Sequence, residues 1–168
     1  GISKDDLEWQ ALNQAISIAQ KEKAVLRGLH VVPSADQVAS AATNKIIHEF
    51  QQRCDEANIV GEIAVEVGSA ARKICERAHW ADLVIGKLTH PPADQLLGRL
   101  SSGFRIMVRR CSRPILAVPT TASPIKKALL AYNGSPKADE ALYITAYIAC
   151  RWQLPITVLV IETNGIEA

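Results

Sequence analysis

Short apolar runs alternate with amphipathic stretches along nearly the whole chain, and this alternation limits the fold more than any other feature. Ala24 to Val32 reads as a strand ended by Pro33 and Ser34. Ile59 to Val67, Asp82 to Gly86 and Pro114 to Val118 read as three more. Helical patterns separate them. Ser3 is placed to cap the first helix, with Asp5 and Asp6 in its first turn and Leu7, Ala11, Ala15, Ile18 and Ala19 on one side. Residues 36–58 carry a stripe of Val38, Ala42, Ile46, Phe50, Cys54 and Ala57. Ser69 caps a third helix, with Ala71, Ile74, Cys75 and Ala78 inward. Residues 87–100 read as a loop holding Pro91 and Pro92, and helix 101–110 follows with Phe104, Met107, Val108 and Cys111 buried.

Strands alternating with helices predict a parallel sheet covered by helices on both faces. The strands are continuous apolar runs, as burial on both faces requires. Only 5% of the 168 residues are aromatic against 48% hydrophobic, so the core is aliphatic. No apolar run approaches the roughly 18 residues of a membrane span. No basic and apolar leader opens the sequence, so the expected location is cytoplasmic.

One place breaks the pattern. Strand 114–118 runs into strand 127–132 with no helix between them, although a parallel crossover needs about a dozen residues or more. A domain boundary or an antiparallel step therefore falls at about residues 119–124. Beyond it, residues 135–152 read as a helix burying Ala138, Ala141, Leu142, Thr145, Ile148, Ala149 and Trp152, and 155–161 as a strand. An offset of 130 residues brings Ala11-Leu12 onto Ala141-Leu142, Ile18-Ala19 onto Ile148-Ala149 and Leu29 onto Leu159, helix on helix and strand on strand.

These residues resemble the universal stress protein family across nearly the whole chain. The resemblance is carried by Leu29-His30-Val31-Val32, Ala81-Asp82-Leu83-Val84-Ile85-Gly86, Arg113-Pro114-Ile115-Leu116-Ala117-Val118 and Ala128-Leu129-Leu130-Ala131-Tyr132-Asn133-Gly134-Ser135. It implies a doubly wound parallel sheet of five strands in order 3-2-1-4-5, with a partial second copy at the C-terminus. On that template residues 1–119 are one domain lacking its first strand, 120–124 are a linker, and 125–168 begin a second domain as β-α-β. The chain then reads as a slice of a tandem protein. An empty central strand position leaves buried backbone groups unpaired, so strand 127–132 is expected to fill it. The linker spans at most about 20 Å, which favours donation between two chains and a strand-swapped homodimer.

The resemblance also implies a ligand. The family's nucleotide-binding branch has Gly-x2-Gly-x9-Gly-Ser/Thr after strand 4, where glycines admit phosphates and a helix N-terminus attracts them. Gly86 fits the first position, and Thr89 replaces the second glycine. The third falls at Arg99, one past Gly98, or at Ser101-Ser102 if two residues are inserted. Lys87, Arg99, Ser101 and Ser102 are placed to meet an anion. Val31 and Val32 would flank the base. Asn133, followed by Gly134, stands where the second copy's strand usually ends in an acidic residue. The implied ligand is ATP or AMP, with Mg accompanying ATP, and any hydrolysis would be slow and incidental. A module that binds no nucleotide and serves dimerisation or a protein partner, appended to a larger transport protein, explains the altered loop equally well.

Residues outside that resemblance exclude other functions. Gly98 to Gly103 matches Gly-x4-Gly, but Phe104-Arg105 follows where a P-loop needs Lys-Ser/Thr. There is no Ser-His-Asp order, no carboxylate pair and no Cys/His spacing for a metal, so an enzyme is not expected. Cys54, Cys75, Cys111 and Cys150 read as reduced core thiols. Trp9, Trp80 and Trp152 read as packing or interface residues, and His30 as a packed one. Residues 1–94 carry 10 basic and 13 acidic groups and residues 95–168 carry 9 and 4, so the second part has net charge +5. Arg99, Arg105, Arg109, Arg110 and Arg113 concentrate that charge. The plain reading is a solvated face; nucleic acid is not the expected partner.

Overall fold

The structure, a computed structural model, describes residues 9–87, 102–120 and 123–160, with Ser102 described by its backbone alone. Ser3, Asp5, Asp6 and Leu7 lie outside the described residues. The elements in chain order are α1 (Gln10–Glu22), β1 (Leu26–Val32), a 3₁₀ turn (Ala35–Gln37), α2 (Ala41–Glu56), β2 (Gly61–Val67), α3 (Ala70–Ala78), β3 (Val84–Lys87), α4 (Ser102–Arg110), β4 (Ile115–Val118), β5 (Ala128–Tyr132), α5 (Pro136–Trp152) and β6 (Ile156–Val160). Contacts divide the chain into two compact units, Gly1–Ala122 and Ser123–Ala168.

All strand pairs are parallel: β1 with β2, β3 with β4, and β5 with β6. Parallel pairing follows from the helix that each crossover carries. In the first unit β1–β2 and β3–β4 form two ladders, with no strand joining them among the described residues. Helix α1 packs against β1, β3 and β4, and so bears on both ladders. It presents Ala15, Ile18 and Ala19, all buried.

Helix α2 lies close on the β1–β2 ladder because two glycines let it. A Cβ on Gly61 would stand 2.5 Å from Cys54 Sγ, and one on Gly28 would stand 2.8 Å from Phe50 Cε2. Phe50 and Cys54 are the buried stripe of α2. The helix does not begin at residue 36 as its periodicity suggests. Ser40 accepts a bond from Thr43 N–H at 3.1 Å, and the buried Thr43 hydroxyl donates to Gln37 carbonyl at 2.7 Å. That pairing holds residues 35–37 as a separate turn and starts α2 at Ala41. Val38 therefore falls outside the stripe and is exposed. At α3, Ser69 occupies the capping position, but its side chain makes no capping bond.

Three further expectations are corrected. Val108 is 59% exposed, because Met107 takes the inward place one step earlier on α4. Leu142 is exposed because α5 packs on β5 and β6, and two strands are too narrow to cover its whole apolar stripe. Every residue of β6 is exposed, so this strand is not covered on both faces within the chain.

The two helices matched by the 130-residue offset end alike. Lys23 and Gln153 both adopt left-handed backbone, with φ 53° and φ 54°. Their N–H groups donate to Ala19 and Ala149 carbonyls respectively, and the following residues, Ala24 and Leu154, donate to the same two oxygens at 3.0 and 2.9 Å. This is the bonding that closes a helix C-terminus.

Gly61→Val should overpack the contact with Cys54 and Phe50 and destabilise the first unit by ~1–3 kcal/mol, read as a lower urea midpoint. An unchanged midpoint would refute the close approach of α2.

Candidate functional site

In open parallel sheets, ligands bind beyond the carboxyl ends of the strands. The β3 end supplies the clearest candidate. Gly86 pairs in register with Ala117 and Lys87 with Val118, so both belong to the last rungs of that ladder. A Cβ built on Gly86 meets nothing within 4 Å among the described residues. Lys87 is exposed and has no ion pair with the described residues. Thr89, Gly98, Arg99 and Ser101 lie outside the described residues. Ser102 opens α4, a helix N-terminus with no acidic residue in its first turn. Such a terminus favours an anion through its free N–H groups.

The β1 end is different. Val31 is half-buried, Val32 is only 3% exposed, and the Val32 carbonyl is taken by Gly68 N–H at 2.9 Å. Val31 pairs in register with Glu66. The Glu66 carboxylate receives Arg77 Nε at 2.6 Å and Lys73 Nζ at 3.1 Å, and Lys73 also reaches Glu76 at 3.1 Å. The hydrogen bonds from Arg77 and Lys73 hold the Glu66 carboxyl below its ordinary value, and donating to Glu66 and Glu76 raises Lys73. These cations are thus matched by carboxylates. Lys87, Arg105, Arg109, Arg110 and Arg113 are exposed and have no ion pair with the described residues.

In the second unit, Asn133 and Gly134 form the turn from β5 to α5. Asn133 Oδ1 accepts Ser135 N–H at 3.2 Å, and Gly134 has φ 74°, the left-handed region that favours glycine. Ser135 caps α5 by accepting Ala138 N–H at 3.2 Å, and Pro136 occupies the first turn. Asn133 is thus committed to the turn. Asp139, one turn into α5, is the acidic residue beside this strand end. It accepts the Tyr132 hydroxyl at 2.7 Å, and that bond with its charge pushes the Tyr132 phenol up. The sequence signal for this contact is a carboxylate in the first turn of a helix, which alone does not name its partner.

The structure therefore brings together Gly86 with Lys87, and Asn133 with Gly134, as consecutive residues at strand ends. Among the described residues, no group of three or more His, Cys, Asp or Glu could hold a metal ion, and no helix is long and apolar enough to cross a membrane. Trp9 packs its ring 5.3 Å from the Arg53 guanidinium, which also reaches Asn13 and Glu49, so this tryptophan ties α1 to α2. Trp80 is 74% exposed.

Glu66 should titrate below an ordinary glutamate in a carbon-detected NMR titration, and Arg77→Met should move it back. Its ion-paired contribution is present above the ordinary glutamate pKa and is lost as pH falls through the lowered one. An ordinary midpoint in the unaltered chain would dissolve this electrostatic clamp.

Neither protein-family models nor curated proteins give a match to the sequence. Among solved structures, a universal stress protein crystallised in complex with cAMP is similar, with 26% identity and a TM-score of 0.54. The similarity covers 71% of this chain and 91% of that one. With its alternating helices and parallel strands, the chain has a fold of the universal stress protein family.

Proposed function

We propose that this chain is a universal stress protein-like regulatory module that binds an adenine nucleotide beyond the end of β3. The observation that carries the reading is the similar universal stress protein that holds cAMP. Three features among the described residues support it: the open space at Gly86, Lys87 without an ion pair and the acid-free N-terminus of α4. In this reading the N–H groups at the start of α4 donate to phosphate oxygens, Gly86 leaves room for them and Lys87 screens their charge. Thr89, Gly98, Arg99 and Ser101 complete the loop. Binding is the output and turnover is incidental, since no residue is assigned to activate water. Mg enters only with ATP.

Melting curves with millimolar ATP, AMP and cAMP test this. A ligand at about 100 times its Kd stabilises by about 2.7 kcal/mol and raises Tm. Gly86→Val should abolish the rise, because a β-branched side chain would stand where the phosphates approach, with the melting of the free variant as its own reference. No rise with any of the three nucleotides would end the proposal.

A second reading is favoured by the two ladders of the first unit. Helix α1 bears on both, yet β1 and β3 each have a single strand neighbour among the described residues. We propose that a parallel strand between them completes five strands in order 3-2-1-4-5, doubly wound, and that β5 of a second copy supplies it by exchanging its ladder with β6 for pairing on both edges. The module then also dimerises. Light scattering should give twice the chain mass, and Leu130→Pro in β5 should return it to one. A monomer whose β1 and β3 amides are protected from exchange would rule out donation between chains.

A further inference from the structure

Helices α3 and α4 pack side by side. Two contacts set their register. Near their starts, a Cβ on Gly103 would lie 3.7 Å from Ala71 Cβ. Just past their ends, Ser112 Oγ lies 3.4 Å from His79 Nδ1. The helices therefore run in the same direction. Cys75 sits one turn after Ala71 and one turn before His79, and Cys111 adjoins Ser112. Along this seam the two thiols come near enough to act on one another electrostatically. Both are half-exposed and unbridged.

We propose that Cys75 and Cys111 are a dithiol modification site that a hydroperoxide converts to a disulfide. Oxidation proceeds in two displacements. The Cys111 sulfur, as thiolate, attacks the peroxide oxygen, forming a sulfenic acid and, with hydrogen peroxide, releasing hydroxide. The Cys75 sulfur then attacks the Cys111 sulfur and expels its hydroxyl group. The Cys75 proton ends on one of the released oxygens. In sum two thiols and one hydrogen peroxide give one disulfide and two waters, with both sulfurs oxidised and both peroxide oxygens reduced.

The division of roles follows from the surroundings. Burial and the adjoining Cys111 push the Cys75 thiol up, against a smaller pull from Arg110. Cys75 is therefore the poorer first nucleophile, and the first attack falls to Cys111. The other two cysteines serve as references. Cys54 is fully buried against Gly61, and Cys150 is exposed on α5. A bridge between Cys75 and Cys111 would tie the middle of α3 to the end of α4. It would close a loop containing Gly86, Lys87 and Ser102, the residues of the proposed nucleotide site. The chemistry itself does not depend on that site, and its test reads thiols alone.

The full chain is treated with graded hydrogen peroxide, alkylated, digested and analysed by mass spectrometry. The expected product joins the Cys75 and Cys111 peptides, is lighter by two hydrogens, and reverts with dithiothreitol. Alkylation of both should fall together, by more than half, while that of Cys54 holds. In Cys75→Ser, dimedone should trap a sulfenic acid at Cys111. In Cys111→Ser, the joined peptides should vanish. Two results would overturn the proposal: both thiols remaining alkylatable at a dose that oxidises Cys150, or separate sulfinic acids with no joined peptide.

Discussion

Helix α1 rests on both parallel ladders of the first unit, and the rest of residues 9–120 depends on that contact. Its inner face is small: Ala15 and Ala19 flank Ile18. Small side chains let the helix axis come near β1, β3 and β4 together, where bulkier ones would hold it off one ladder. The neighbouring helix is then located by a polar contact. Arg53 of α2 meets Asn13 of α1 and lies over the Trp9 ring, while Gln20 reaches the Ala57 carbonyl at 3.2 Å. Apolar closeness and polar anchoring together decide where the strand ends can stand.

Those strand ends differ in kind. At β1 and β2 the charges are internally balanced around Glu66, which leaves little field for a ligand. At β3, among the described residues, a glycine with room beside it is followed by a lysine without an ion pair. An anion would gain more there, because it meets a charge not already engaged. The asymmetry between the two ladders turns a general property of parallel sheets into a specific place.

Much of this was legible in the residues. Apolar runs such as Leu26–Val32 and Ile115–Val118 identify strands because no other element buries so many successive side chains. Boundaries were less legible. The start of α2 depends on a hydrogen bond from Thr43 to Gln37, which competes with a helical pattern extending back to residue 36. Exposure of Val108 and Leu142 depends on which neighbour is wide enough to cover a stripe, and the stripe does not encode that. At the site, Gly86 and Lys87 stood out by pattern. The Glu66 cluster did not, since its members come from a strand and a helix whose pairing is a tertiary fact.

The matching helix exits at Lys23 and Gln153 have a different consequence. The same turn, with the same bonds to a buried alanine, occurs in a larger unit and in a smaller one. Local geometry is common to both, so the chain carries its own internal standard. Any difference in how long the Ala24 and Leu154 amides resist solvent exchange reports surrounding packing, with the contribution of the turn cancelled.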